Sequence, residues 1–483
     1  LRSLRFAATT ALLLSVATPA LAEWHRIEGS RFVVIGDDSE RNTRAAIREL
    51  ERFDLVLRRY FGLPSEGTAA RKLPIYMLSV KDLQDVYGGD ARVGGFYVRS
   101  TDDIFATAPR RGELPVIKHE YAHHFLASEH RGAFPAWFHE GFAQYFSTVE
   151  FVGNQVNIGK PPWWTANGLG SGWIPLERLL TERPVHENGT VPSTYYPLAW
   201  LLTHWFLKDN GGRAKLDTYL TLVAAGTPSV EAMEQATGLS LGELRTTLGH
   251  YSESALGFRT ATLTLEPEFN AAQPLPASAD ALMVEYLSLR TNVRSADRAR
   301  KLNRIRNLAA PFGNDPFAQL VLGYAEFRLA ENFGQAESHF EAVLAREPAN
   351  VDALIWLGRI YMHRADAARA DEDIADLRAK AQRRFAAAYA ADPANPFVLV
   401  NLGRNRRFSP SYPNQNDLAT LQMAYEIAPQ HPYTGINLAE ALIKLNRLSE
   451  AEQYLIPLIN DPHRSDAQAE ELLRRIRAAR TAD

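Results

Sequence analysis

Apolar positions along the chain change rhythm about halfway. In the first part, short apolar runs alternate with helix-spaced ones. Phe32-Val33-Val34-Ile35, ended by Gly36-Asp37-Asp38, predicts a strand, and Ile47, Leu50, Phe53, Leu55 and Leu57 then recur through a charged segment as one face of a helix. Residues 73–78 read as the next strand. Val93-Gly94-Gly95-Phe96-Tyr97-Val98 and Ile104-Phe105-Ala106 read as a strand pair joined by a Ser100-Thr101-Asp102-Asp103 turn. From Pro115 to Tyr251 the spacing is helical, broken by a Gly-, Pro- and Trp-rich loop over 154–173. The pattern predicts an α+β N-terminal region. Pro267, Pro274 and Pro276 mark the stretch that follows, 260–280, as a linker.

Beyond it the periodicity is wholly helical and repeats itself. Pro316, Pro348, Pro393, Pro429 and Pro462 are 32, 45, 36 and 33 residues apart, and three sit in matching settings: Asn314-Asp315-Pro316, Glu347-Pro348-Ala349-Asn350 and Asp392-Pro393-Ala394-Asn395. Leu322-Gly323, Leu357-Gly358 and Leu402-Gly403 fall at similar offsets, with Ala336 and Ala451 where a second helix needs a small residue. Spacing, small residues and closing proline resemble the tetratricopeptide repeat, a helix pair that buries its apolar face only against its neighbours and so stacks into a solenoid. The 45-residue interval predicts a helix lengthened over 366–380, and 281–310 reads as a degenerate first unit.

Composition changes the picture mainly by exclusion. The 483 residues are 46% hydrophobic and 23% charged, ordinary for a protein of two to four domains. There is no Cys, so disulfides, thiolate metal sites and cysteine nucleophiles are excluded, and any metal must sit on His, Asp or Glu. A net charge of −3 gives no basic footprint, so no nucleic-acid partner is expected. Arg2 and Arg5, the apolar run over 6–16 and Ala20-Leu21-Ala22 predict a cleavable bacterial export signal over 1–22, hence a periplasmic or secreted protein with no transmembrane segment after cleavage.

The sharpest chemistry is His119-Glu120-Tyr121-Ala122-His123. On a helix, positions i and i+4 share a face, so both imidazoles can meet one zinc ion. Ile117, Tyr121, Ala122, Phe125 and Leu126 predict that this helix is buried, where unsatisfied polar groups cost about 1–3 kcal/mol each and a metal would satisfy them. A second apolar helix, Trp137-Phe138-His139-Glu140-Gly141-Phe142-Ala143, carries one acid 17 positions after His123. Glu140 would be the third ligand, leaving the fourth zinc position to water, as in catalytic rather than structural sites. Gly141 would let the two helices approach closely.

His119-Glu120-x-x-His123 followed by Trp137-Phe138-x-Glu140-Gly141-Phe142-Ala143 resembles the gluzincin metallopeptidases, specifically the aminopeptidase-like clan. Tyr196-x-x-Ala199, Trp200-Leu201-Leu202 and Gly211-Gly212 extend the likeness, which spans about 32–251. The resemblance implies a zincin-like fold, zinc on His119, His123 and Glu140, Glu120 as general base, and Tyr196 stabilising the transition state. Tyr195 is the adjacent competitor. The implied organisation is an export signal (1–22), an α+β zincin-like catalytic domain (23–262), a linker (263–280) and an all-α tetratricopeptide-repeat solenoid (281–483). The expected activity is hydrolysis of peptide or protein substrates, as an endopeptidase because no exopeptidase motif precedes His119, with a protein partner in the repeat groove. The alternative is a repeat-based binding or assembly protein whose zincin domain is inactive; the intact Glu120 argues against it.

Several nearby residues have plainer expected roles. His124 reads as a core histidine with a satisfied hydrogen bond, and His139 as peripheral. Gln144 stands where related enzymes often place an acid that orients a metal-bound histidine. Gly94-Gly95-Phe96-Tyr97 reads either as the strand edge that receives a substrate backbone or as a bulged structural strand. Trp163, Trp164 and Trp173 either roof the cleft or pack the long loop.

Overall fold

The computed structural model describes residues 24–67, 69, 71–87, 95–100, 103–110, 114–129, 134–162, 169–170, 172–184, 194–291, 297–461 and 466–482. The expected export signal, Gly94, Trp163, Trp164 and Pro462 lie outside them. Strands β1 (His25–Glu28) and β2 (Phe32–Gly36) precede helix α1 (Glu40–Phe61), followed by β3 (Leu73–Leu78), α2 (Val80–Tyr87), β4 (Phe96–Arg99) and β5 (Ile104–Pro109). Next come α3 (Pro115–Glu129), α4 (Ala136–Ser147), β6 (Glu150–Val152), β7 (Gln155–Ile158), α5 (Leu176–Thr181), α6 (Tyr195–Leu207), α7 (Asn210–Ala224), α8 (Ser229–Thr237), α9 (Leu241–Glu253), β8 (Arg259–Thr262) and β9 (Gln273–Pro274).

Six strands form one sheet in the order β4-β5-β3-β2-β1-β9, parallel at β2–β3 and β3–β5 and antiparallel at the other pairings. Successive side chains of a strand face opposite ways, so β2, β3 and β5, buried on both faces, feed two cores. Phe32, Val34, Ile75, Met77 and Ala106 join the core of α1, α3 and α4. Val33, Ile35, Tyr76, Leu78 and Phe105 join a core with the helices that follow β9. A smaller antiparallel sheet, β6-β7-β8, lies apart.

The expected linker does not hang free. Gln273 and Pro274 pair with Arg26 and His25, Asn270 N–H donates to the Glu28 carbonyl at 2.9 Å, and Leu275 N–H to the Trp24 carbonyl at 2.8 Å. The chain leaves the first region as an edge strand of its sheet, a place where proline is tolerated because an edge leaves one side of the ladder unpaired.

The helical region is a series of pairs. α10 (Ser278–Arg290) and α11 (Arg298–Ala309) occupy the expected degenerate unit. α12 (Pro316–Ala325), continued by a π-turn over Glu326–Ala330, pairs with α13 (Phe333–Leu344), and α14 (Val351–Ala367) with α15 (Asp371–Ala391). α16 (Pro396–Arg406) pairs with α17 (Gln415–Ile427), α18 (Pro432–Lys444) with α19 (Leu448–Ile459), and α20 (Ala467–Ala482) closes the array. The repeated Asx residues are helix caps: Asp315, Asn350 and Asn395 accept from Ala318 N–H, Ala353 N–H and the N–H groups of Phe397 and Val398. The repeated glycines make room for the partner helix. A Cβ on Gly323 or Gly358 would stand 2.6 Å or 2.3 Å from the ring of Phe340 or Phe385. The 45-residue interval is taken up by the 17-residue α14 and the 21-residue α15. Among the described residues no helix is long and apolar enough to cross a membrane.

Candidate metal centre

Helix α3 begins at Pro115, whose missing N–H costs nothing in a first turn. Ile117, Tyr121, Ala122, Phe125 and Leu126 are buried, as the sequence predicts. The helix is also held by charge. The Tyr121 hydroxyl donates to Asp54 Oδ1 at 2.7 Å, and Asp54 in turn accepts from Arg58 Nε at 2.8 Å, fastening α3 to α1. Lys118, itself buried, pairs with Glu49 at 2.5 Å and donates to the Val149 carbonyl at 2.8 Å.

Glu140 comes from α4, which crosses α6 at backbone contact. A Cβ on Gly141 would meet Thr203 Oγ1 at 2.2 Å and the Ala199 carbonyl oxygen at 2.4 Å, so only glycine permits this approach. Trp137, the start of the second motif, donates from Nε1 to the Tyr219 hydroxyl at 2.8 Å and fixes α4 against α7.

These constraints bring three donors together. His119 Nε2 and His123 Nε2 are 3.1 Å apart, and Glu140 Oε2 is 3.5 Å from the first and 3.7 Å from the second. Tetrahedral zinc with bonds of ~2.0–2.1 Å separates its donors by about 3.3 Å, so the triangle has the size that one such ion spans. It is the one cluster of three or more potential ligands found among the described residues. Two imidazoles and a carboxylate are also a donor set that zinc accepts. Glu140 is fully buried. Burial opposes protonation of His119, but the hydrogen bond and charge of Glu140, with Glu120 behind, outweigh it and hold the imidazole pKa above its ordinary value.

Glu120 is half-buried on the same helix. Of the two tyrosines, Tyr195 is buried and its hydroxyl donates to the Glu182 carbonyl at 3.2 Å. Tyr196 is less buried; burial first, then the charges of Glu140 and Glu120, raise its pKa, so its hydroxyl stays protonated within range of both acids. The hydroxyl not committed to Glu182 is that of Tyr196.

His124 has the satisfied hydrogen bond expected of it, from Nδ1 to the Tyr97 hydroxyl at 2.7 Å, which ties α3 to β4. Burial, then the Arg99 charge, pushes its pKa down to about 3, so it stays neutral. His139, expected at the periphery, is outside the ligand triangle, its ring centroid 6.2 Å from that of His123. The Gln144 side-chain oxygen is buried without a hydrogen-bond partner among the described residues. Trp173 packs the loop, donating to the Leu169 carbonyl at 2.9 Å under Arg245. Sequence reasoning missed Asp54 and Arg99, both remote in sequence from the motif; the alternation of charge along 51–59 was the one available signal for Asp54.

Fold and site together define a mixed α/β region with a candidate metal centre, continuous with a helical repeat array. The family described as Tetratricopeptide repeat matches residues 327–391 and 418–476, so the C-terminal region carries these repeats. A solved thermophilic TPR protein of Thermus thermophilus is similar at 17% identity over 38% of this chain and 92% of its own, with a TM-score of 0.32. No curated protein matches the chain.

Proposed function

We propose that the protein is an exported zinc-dependent metallopeptidase of gluzincin type, with an α+β zincin-like catalytic region and repeats that engage protein. The observation that carries this reading is the triangle of His119, His123 and Glu140, whose donor atoms all lie within 4.8 Å, with Glu120 on the same helix. Zinc bound there would supply Lewis acidity, lowering the pKa of a coordinated water and polarising a carbonyl. Glu120 accepts the proton of the attacking water and delivers it to the leaving amine. Tyr196, held neutral, donates a hydrogen bond to the carbonyl oxygen as that atom gains charge. β4, at the end of its sheet, leaves one backbone edge for an extended peptide, whose main chain would pair with it. Buried Glu140 and the aromatic floor of α4 keep the ligands in place.

The repeat match favours a second reading, a binding or assembly protein in which the α/β region is inactive. A ligand set alone needs no base, and Glu120 is present. Zinc content and hydrolysis of labelled casein by the wild type and Glu120→Gln separate the two. One zinc per chain in both proteins, with turnover lost by about 10²–10⁴-fold in Glu120→Gln, is expected. Zinc at unit stoichiometry with no cleavage of casein or of a peptide library by the wild type would refute the enzyme reading.

A further inference from the structure

The repeat array reaches back to the strand beside the candidate centre. β4 has four residues and, among the described residues, pairs with β5 alone, so its own ladder places it weakly. It is tied at two further points. Toward α3, the Tyr97 hydroxyl bonds His124. At its other end, Arg99 Nη2 pairs with Asp461 Oδ2 at 2.6 Å and Nη1 donates to the Gln430 carbonyl at 3.4 Å. The next residue, Ser100, accepts at its carbonyl from His431 Nε2 at 2.5 Å. Asp103, which closes the turn into β5 by accepting from Ser100 N–H at 2.9 Å, is paired with Arg290 of α10 and, at 2.9 Å, with Arg71. Arg71 in turn lies 5.0 Å over the ring of Phe397 in α16.

Gln430, His431 and Asp461 all belong to the last repeats, more than 300 positions from β4. The contacts are sheltered: side-chain exposure is 23% for Arg99 and 15% for Asp461, and His431 is 1% exposed. Buried ion pairs add little net stability but fix geometry, because one partner left alone in a dry place is costly. Both Tyr97 and Arg99 lie within electrostatic range of Glu120, so the strand so held is the one flanking the candidate base.

We propose that the C-terminal repeats set the position of β4 for substrate, with Asp461 and His431 as positioning residues that act through Arg99 and Ser100 on the backbone edge to which an extended peptide adds. The proposal rests on the metallopeptidase reading. The repeats thereby act on substrate binding from outside the cleft: a peptide pairs with β4 in register only while the last repeats hold its far end. Such pairing contributes equally to ground and transition states, so its loss raises KM and spares kcat.

The test uses the full chain loaded with zinc and compares Asp461→Asn, which removes the charge, with Asp461→Glu, which restores it. In Asp461→Asn, KM for an internally quenched peptide cleaved by the wild type should rise about 10-fold, with kcat within about twofold and zinc content unchanged. Amide exchange across Phe96–Arg99 should quicken about 10-fold, and Asp461→Glu should recover both. Unaltered exchange at β4, a fall in kcat at constant KM, or no recovery in Asp461→Glu overturns the proposal. Exchange needs no turnover: a wild type that holds zinc yet cleaves nothing overturns the enzyme reading, whereas unaltered exchange in Asp461→Asn overturns the positioning role by itself.

Discussion

Gly141→Ala adds one carbon at the point where α4 meets α6. That carbon would lie 2.2 Å from Thr203 Oγ1, 2.4 Å from the Ala199 carbonyl oxygen and 2.9 Å from the Ala199 carbonyl carbon. A hydroxyl can rotate away, but a helix carbonyl cannot, so the helices must part by roughly 1 Å to restore ordinary contact distance. Overpacking of this kind costs about 1–3 kcal/mol. The same change gains about 1 kcal/mol of helix propensity. With backbone as the obstacle the cost should dominate, for a net loss of about 1–2 kcal/mol. The larger effect falls on the neighbour. Glu140 is carried on the same turn, and a ligand atom moved by more than about 0.2 Å from its place weakens a metal site. Zinc affinity should therefore fall by at least about 10-fold. Gly249→Ala is the control: it too sits inside a helix, its added Cβ would meet nothing within 4 Å, and it should gain about 0.5–1 kcal/mol. Zinc affinity by chelator competition and stability by urea unfolding measure both. A Gly141→Ala protein as stable as Gly249→Ala, with zinc affinity undiminished, would refute the close-approach argument.

His123→Ala removes one of three donors and should abolish tight zinc binding while the repeats keep their far-UV helical signal; retention of tightly held zinc would disprove the ligand assignment. Tyr196→Phe should lower kcat about 10²–10³-fold with zinc content unchanged, whereas Tyr195→Phe, which loses only the bond to Glu182, should cost about 1 kcal/mol of stability and little turnover; the reverse pattern would exchange their roles. His431 supplies a pH dependence. Burial most of all, then the charges of Arg99 and Arg71, holds its pKa down to about 4, against the Ser100 carbonyl and Asp103, which favour the cation. The unfolded chain takes up this proton near pH 6.5 and the folded one does not, so stability is full above that pH and falls between about pH 6.5 and 4, by up to about 3 kcal/mol. Urea unfolding at pH 7, 5 and 4 should show the decline, reduced in His431→Gln; equal slopes in the two proteins would count against a neutral buried imidazole.

What could be read in the sequence was local. The i, i+4 relation of His119 and His123, the single acid on the following apolar helix, and the small residues of the repeats depend on helix geometry over one or two turns, and each stands where that geometry puts it. The roles of Tyr195 and Tyr196 depend on which way a helix is turned against its neighbours: one residue is a rotation of about 100°, and only the Glu182 carbonyl shows which hydroxyl is occupied. The 6.2 Å separation of the His139 and His123 rings likewise depends on how α4 is turned against α3, which has no one-dimensional signature. The linker proves to be part of a sheet because a two-residue edge strand ending in proline has neither alternation nor length to signal it.

The shared core behind the sheet alters how the two regions should be regarded. Val33, Ile35, Tyr76, Leu78 and Phe105 cover one face of β2, β3 and β5, and they are buried with Leu282, Met283, Tyr286 and Leu287 of α10. Burying side chains of this size stabilises by about 1.5–3 kcal/mol each, so this face accounts for on the order of 10 kcal/mol. α10, the first helix of the array, therefore joins α2 in covering this face of the sheet, and β9 completes the edge beside it. The opposite face of those strands packs against α3, which carries His119 and His123. A change in the repeats can thus reach the candidate centre by two physical routes: through the sheet from α10, and along its edge from Asp461 and His431 to Arg99 and Ser100. The array is part of the scaffold that holds the site, which is why point substitutions at these contacts, rather than removal of the repeats, isolate what each contributes.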